Sequence, residues 1–166
     1  MVSSGSGYDI AASQAGTPIL FRIKDHKTEI SHALFNPPFR NFIRFIYLGR
    51  KQNTADSISK NLESVKNHNN QIPLISRFSE QIAKEEDMDE FMKYIAEHEK
   101  ILSSSLKIPR LKDEFFYDFP GEIKSLGAWG GDCAMVVSDR DESAVRKYFA
   151  DKGLETLFGF DEIVKI

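Results

Sequence analysis

The chain has 166 residues, of which 41% are hydrophobic and 28% charged, and a formal net charge of −3. That is enough apolar material for a packed core, which excludes a wholly disordered chain, and the scattered Lys and Arg residues leave no electrostatic footprint for nucleic acid. One cysteine, Cys133, excludes an internal disulfide, the four histidines (His26, His32, His68 and His98) make no metal-ligand spacing, and no apolar run is long enough to cross a membrane. There is no basic stretch followed by an apolar one, so a reducing, cytoplasmic setting is expected. Most of the 13 Phe residues are expected in the core.

In chain order, Ser3 to Gly7 reads as a Gly/Ser-rich loop of the kind that connects two elements. Asp9 to Gln14 reads as a short helix ended by Gly16-Thr17-Pro18. Pro18 to Ile23 and Thr28 to Phe35 read as strands of a hairpin turning at Asp25-His26-Lys27. Asn36-Pro37-Pro38 breaks the pattern and marks a domain boundary, giving units 1–37 and 38–166. Asn41 to Leu48 is an apolar, β-branched and aromatic run expected as a buried strand.

Asn53 or Thr54 caps a helix to about Lys66. Ile72, Leu74, Ile75, Phe78 and Ile82 mark a second helix, and Met88, Phe91, Ile95, His98 and Leu102 fall on one face of a third. Lys107 to Pro120 is less regular and holds an aromatic cluster, Phe115 to Phe119. Ile123 to Leu126 and Cys133 to Ser138 read as strands around a glycine-rich bend. Glu142 to Lys152 reads as a helix, and Leu154 to Lys165 includes a final strand. This order predicts an α+β fold, an antiparallel sheet with helices packed on one side, preceded by a helix and a β-hairpin.

Two constellations carry chemistry. In S-S-G-S-G-Y-D-I-A-A-S, Ser3 to Ser13, Ser4, Gly5, Ser6 and Gly7 form a loop whose backbone a ligand can approach. The following helix start favours anions, and Asp9 stands there either as a functional carboxylate or as an N-cap. The segment is neither a dinucleotide fingerprint nor a Walker A loop. In K-S-L-G-A-W-G-G-D-C, Lys124 to Cys133, the residues Gly127, Ala128, Gly130 and Gly131 form a bend with more glycine than a tight turn requires. Such a bend can present main-chain N–H groups to a phosphate. Lys51 and Thr54, after a buried strand, are candidate contacts for an anionic substrate group, against the simpler reading of a solvated loop and a cap. His98 reads as a core histidine.

Together the two segments resemble GHMP kinases, the family of galactokinase, homoserine kinase, mevalonate kinase and phosphomevalonate kinase. The family carries a G-x-D-x-A-like segment with its catalytic aspartate and, well over a hundred residues later, a K-x-x-G-A-G-G-G-x-C-like loop. Here these are G-Y-D-I-A, Gly7 to Ala11, and Lys124 to Cys133. H-E-K-I-L-S-S-S-L-K-I-P, His98 to Pro109, resembles the family helix and turn before the last motif, and places His98 near the substrate pocket. The G-Y-D-I-A spelling resembles one bacterial subgroup. Two features depart from the pattern. Trp129 replaces a loop glycine, and the P-x-x-x-G-L-G-S-S-A-like ATP-binding loop, which in the family precedes the aspartate segment, is absent.

The resemblance implies a ferredoxin-like C-terminal domain preceded by the tail end of the N-terminal one. It further implies ATP-dependent phosphoryl transfer to a small mevalonate-pathway-like metabolite, with Asp9 handling the proton of the attacking group. ATP and magnesium would be bound mostly through the absent half, with no metal ligands here, so the chain alone is expected to be inactive. ATP-dependent decarboxylation on the same fold, or a non-catalytic binding or assembly module, stay open. A homodimer or other association through the exposed hairpin is the expected partner; nucleic acid and membrane are not.

Overall fold

A computed structural model describes residues 6–25, 27–49, 71–127 and 131–166. Helix α1, Tyr8–Ala15, leads into a two-stranded antiparallel hairpin of β1, Ile19–Lys24, and β2, Lys27–His32. Asp25 takes the left-handed conformation (φ 49°) where the hairpin turns, a conformation Asp adopts more readily than most residues. A 3-10 turn at Arg40–Phe42 then opens β3, Ile43–Tyr47. Two amphipathic helices follow, α2 at Ile72–Ile82 and α3 at Met88–Leu106. α3 starts sharply because the Asp87 carboxylate accepts the Glu90 N–H at 2.9 Å, a side-chain N-cap.

The short helix α4, Leu111–Phe115, precedes β4, Glu122–Ser125, and β5, Cys133–Val137. Helix α5, Glu142–Ala150, is capped by Asp141, which accepts the Ala144 N–H at 2.8 Å. β6, Leu157–Gly159, and α6, Phe160–Ile163, complete the described elements.

The second sheet has the antiparallel order β4-β5-β3-β6. This is the strand order of a split β-α-β arrangement, ferredoxin-like. The α+β class and the antiparallel sheet are thus as the sequence indicates. The helices, however, divide between the two faces, because β5 buries both sets of its alternating side chains. Ala134 and Val136 join Ile46, Ile123 and the α5 residues Val145 and Phe149 in one cluster. Met135 and Val137 join Ile43, Phe39 and the α3 residues Phe91 and Ile95 in the other.

Other differences are local. The strand expected from Thr28 to Phe35 ends at His32, and Phe35 instead stacks on Phe91, ring centroids 6.0 Å apart. The stretch read as irregular contains α4, and the chain adds α6 after its last strand. The helix expected from Asn53 or Thr54 lies outside the described residues.

β4 is an edge strand, and its first residue is pinned. Glu122 Oε1 accepts from Arg110 Nη2 at 2.6 Å and from the Ile123 N–H at 2.9 Å. Both side chains of the ion pair are buried, at 8% and 9% exposure. β2 is exposed along its whole length, and Arg22 of β1 pairs with Glu80 of α2.

Candidate functional site

Asp9 is not an N-cap. The cap position belongs to Gly7, in the left-handed conformation (φ 79°), with no side-chain cap, and Asp9 lies in the first turn of α1. It is exposed, where the positive end of the helix favours a carboxylate. Asp9, Ala12 and Ser13 are spaced i, i+3 and i+4, so they share one helix face.

Ala12 and Ser13 of that face look across a groove to the sheet, and Asp9 is not among the residues that line it. Ala12, Ser13 and Gly16 line one side of a groove of about 470 Å³, and Phe45, Met135 and Val164 line the other. Met135 is the register partner of Lys124 on β4, and paired residues in an antiparallel ladder point to the same side. The helix carrying Asp9 and the root of the glycine-rich segment therefore lie over one face of one sheet.

The β4–β5 connection closes where the sequence places the bend: the Leu126 N–H donates to the Cys133 carbonyl at 3.2 Å. Two of its glycines are needed for different reasons. Gly127 is left-handed (φ +73°) with open space around it, so conformation demands glycine there. At Gly131 space does, because a Cβ would stand 2.6 Å from the Leu126 carbonyl oxygen.

At the root of the connection the partly buried Lys124 meets two buried side chains. Glu99 is 0% exposed and His98 7%. Lys124 Nζ lies 3.1 Å from Glu99 Oε1 and 3.3 Å from His98 Nδ1. The Ser125 N–H donates to Glu99 Oε2 at 3.1 Å. His98 Nδ1 is 3.9 Å from Glu99 Oε1, too far for a hydrogen bond, so the two meet through Lys124. Burial lowers the His98 pKa and the Lys124 charge adds to that, against an upward pull from Glu99. For Glu99 burial pulls upward, but the Lys124 charge and the Ser125 N–H hold its carboxyl below the ordinary range.

Of the residues expected from the sequence, Ser6, Gly7 and Asp9 stand at the start of α1, Gly127 and Gly131 stand at the two ends of the connection, and His98 lies under it. Ser4, Gly5, Lys51, Thr54, Ala128 and Gly130 lie outside the described residues. The sequence motifs assign no role to Glu99 or Lys124. The signal for Glu99 was present: it falls at an i+4 step from Ile95 and an i+8 step from Phe91, on the buried stripe. Among the described residues no group of three or more His, Cys, Asp or Glu is placed to hold a metal ion, and no described helix is long and apolar enough to cross a membrane.

At the level of sequence, no family model and no curated protein matches the chain. Its fold matches solved structures. Phosphomevalonate kinase of Streptococcus pneumoniae, in complex with phosphomevalonate and AMPPNP, gives a TM-score of 0.71 at 16% identity over 95% of this chain and 56% of that one. Mevalonate kinase of L. major, in complex with R-mevalonate, gives 0.67 at 14% identity over 95% and 52%. The Lin0012 protein of Listeria innocua gives 0.56 at 18% identity over 76% and 40%. At these identities the likeness is one of fold. The chain spans about half the length of the two kinases it matches.

Proposed function

We propose that the chain contributes the Asp9 helix and the β4–β5 connection to a GHMP-type active site that phosphorylates a small, mevalonate-like metabolite. The observation that carries this reading is the shared sheet face, on which a groove joins α1 to the register partner of Lys124. The fold match to two mevalonate-pathway kinases over 95% of this chain supports it.

In this reading Asp9 orients the attacking hydroxyl and accepts its proton. An exposed carboxylate in a first helical turn suits that role, because it is open to a substrate. ATP would supply the phosphoryl group and meet this chain at the β4–β5 connection, where the backbone at Gly127 stands in open space that a phosphate could enter. Magnesium would enter with the ATP phosphates, and this reading assigns it no ligand among the described residues. The chain's part is mainly positioning and charge stabilisation, as phosphoryl transfer demands.

Residues 1–37 are read here as the end of one unit and 38–166 as another. The separate β1–β2 sheet, with β2 exposed throughout and Ile23 and Ile30 exposed by more than half, supports that division. The hairpin edge is where a second copy or another polypeptide would add strands. The setting is read as cytoplasmic.

The test is to incubate the chain, alone and co-expressed with a polypeptide carrying an ATP-binding loop, with ATP, Mg²⁺ and either mevalonate or phosphomevalonate. Phosphorus NMR should report a new phosphate ester in the co-expressed sample, and Asp9→Asn should suppress it. A product lighter by carbon dioxide would replace the kinase reading with decarboxylation. No turnover in any combination would leave a binding module.

A further inference from the structure

Glu99 holds an odd place. It sits mid-way along α3 with no exposed surface, where an apolar residue would pack at lower cost, since a buried carboxylate must be both paired and hydrogen-bonded. Its two oxygens reach consecutive residues of β4, Oε1 to Lys124 Nζ and Oε2 to the Ser125 N–H, both at 3.1 Å. Backbone N–H groups alternate in direction along a strand. Leu126 donates inward to Cys133, so the Ser125 N–H points outward from the edge of the sheet. Glu99 covers that outward donor at the last residue of β4, one residue before the connection begins to turn. His98 Nδ1 ties Lys124 Nζ from a second side at 3.3 Å.

We propose that Glu99 is the positioning residue of the β4–β5 connection: it clamps Lys124 and Ser125 and so fixes where Gly127 stands relative to the Asp9 helix. That the connection serves phosphoryl transfer rests on the function proposed above; that Glu99 holds it does not. The clamp is directional. An apolar residue at position 99 would fill the space and leave the end of β4 free to shift along α3, whereas two charge-assisted bonds to adjacent residues allow one placement.

Amide hydrogen exchange resolved by NMR tests the clamp without need of turnover. In Glu99→Ala, exchange at Ser125 and Leu126 should quicken on the order of tenfold or more over that at Ile43 and Val136, since a hydrogen bond to a charged group is lost. Equal quickening at all four positions would make Glu99 a general stabiliser and overturn the proposal, as would an unchanged Leu126 amide. Should Glu99→Ala not fold, Glu99→Gln decides. It keeps an acceptor for Ser125 but turns an amide NH₂ toward Lys124, so Leu126 should quicken, and adding Lys124→Met should slow it again. No recovery in the double variant would overturn the clamp.

A protein without kinase activity that shows the selective quickening loses the proposed function and keeps this one. An active protein whose Leu126 amide is indifferent to position 99 does the reverse.

Discussion

His98 Nδ1 stands 3.3 Å from Lys124 Nζ. An ammonium has three donors and no lone pair, so the imidazole nitrogen is the acceptor, and His98 is neutral with its proton on Nε2. Protonating the ring would set two cations against each other in a buried place. The lowered His98 pKa means that below the ordinary value of 6.5 the unfolded chain holds more protons than the folded one. Stability must therefore fall as pH drops through that value, and the loss is complete below the folded pKa. The Glu99 contribution is intact above 4.5 and is lost at lower pH, as the medium passes its depressed folded pKa. Urea unfolding between pH 8 and pH 2 should show both steps. In His98→Asn, where Oδ1 replaces the accepting nitrogen and cannot be protonated at these pH values, the upper step should vanish and the lower one remain.

The two glycines of the β4–β5 connection should fail in different ways. Gly131→Ala places a methyl 2.6 Å from a backbone oxygen, and relieving such a contact costs typically about 1–3 kcal/mol. Gly127→Ala meets no atom within 4 Å but strains a left-handed residue by about 1–2 kcal/mol. Gly127→Asn should recover part of that loss, since Asn tolerates the conformation, whereas Gly131→Asn should not. Chemical denaturation of the four variants decides it. Equal behaviour of both Asn variants would contradict the separate reasons assigned to the two positions.

Asp9→Asn should leave the fold intact, because Gly7 holds the cap position and Asp9 is exposed in the first turn. The midpoint of thermal unfolding should move little, by well under about 1 kcal/mol of stability. Turnover in an active preparation should fall by roughly 10²-fold or more if the carboxylate takes the substrate proton. Substrate affinity should change less, as the group acts mainly where charge develops in the transition state. Wild-type turnover in this variant would remove Asp9 from the mechanism.

The Arg110–Glu122 pair, both side chains under 10% exposed, should be costly to break from one side. Arg110→Met leaves Glu122 buried with Lys112 Nζ 3.6 Å away as a weaker partner, and a loss of about 3 kcal/mol or more is expected. The surface pair Arg22–Glu80, at 46% and 42% exposure, should contribute less than about 1 kcal/mol. Denaturation of Arg110→Met and Glu80→Ala side by side would show whether burial orders the two pairs in this way.

The regular elements were legible because their signals are local. The i, i+3, i+4 spacing from Met88 to Leu102 gives α3, and the apolar β-branched run gives β3. α4 was hidden because five residues between Pro109 and Pro120 show little more than one turn of periodicity, and tertiary packing decides their state. The division of helices between two faces was hidden for another reason: a run such as Ala134 to Val137 is apolar at every position and does not say which helix each face meets. At the candidate site, the family resemblance names Asp9, Gly127 and Gly131 as candidates, which spacing alone does not single out. Glu99 and Lys124 form their contact across 25 residues, and nothing in either residue's own neighbourhood names the other.

The two-faced packing of β5 also makes the protein easy to interrogate spectroscopically. Ala134 and Met135 are adjacent in sequence, yet their methyl groups belong to different clusters, the first on the α5 side and the second on the α3 side. Met135 lines the groove shared with α1. In a sample carrying carbon-13 at these two methyls, a compound that enters the groove should shift the Met135 resonance and leave that of Ala134 nearly still. An agent that loosens the whole fold should move both. One strand thus supplies a probe and its own internal reference, a single peptide bond apart.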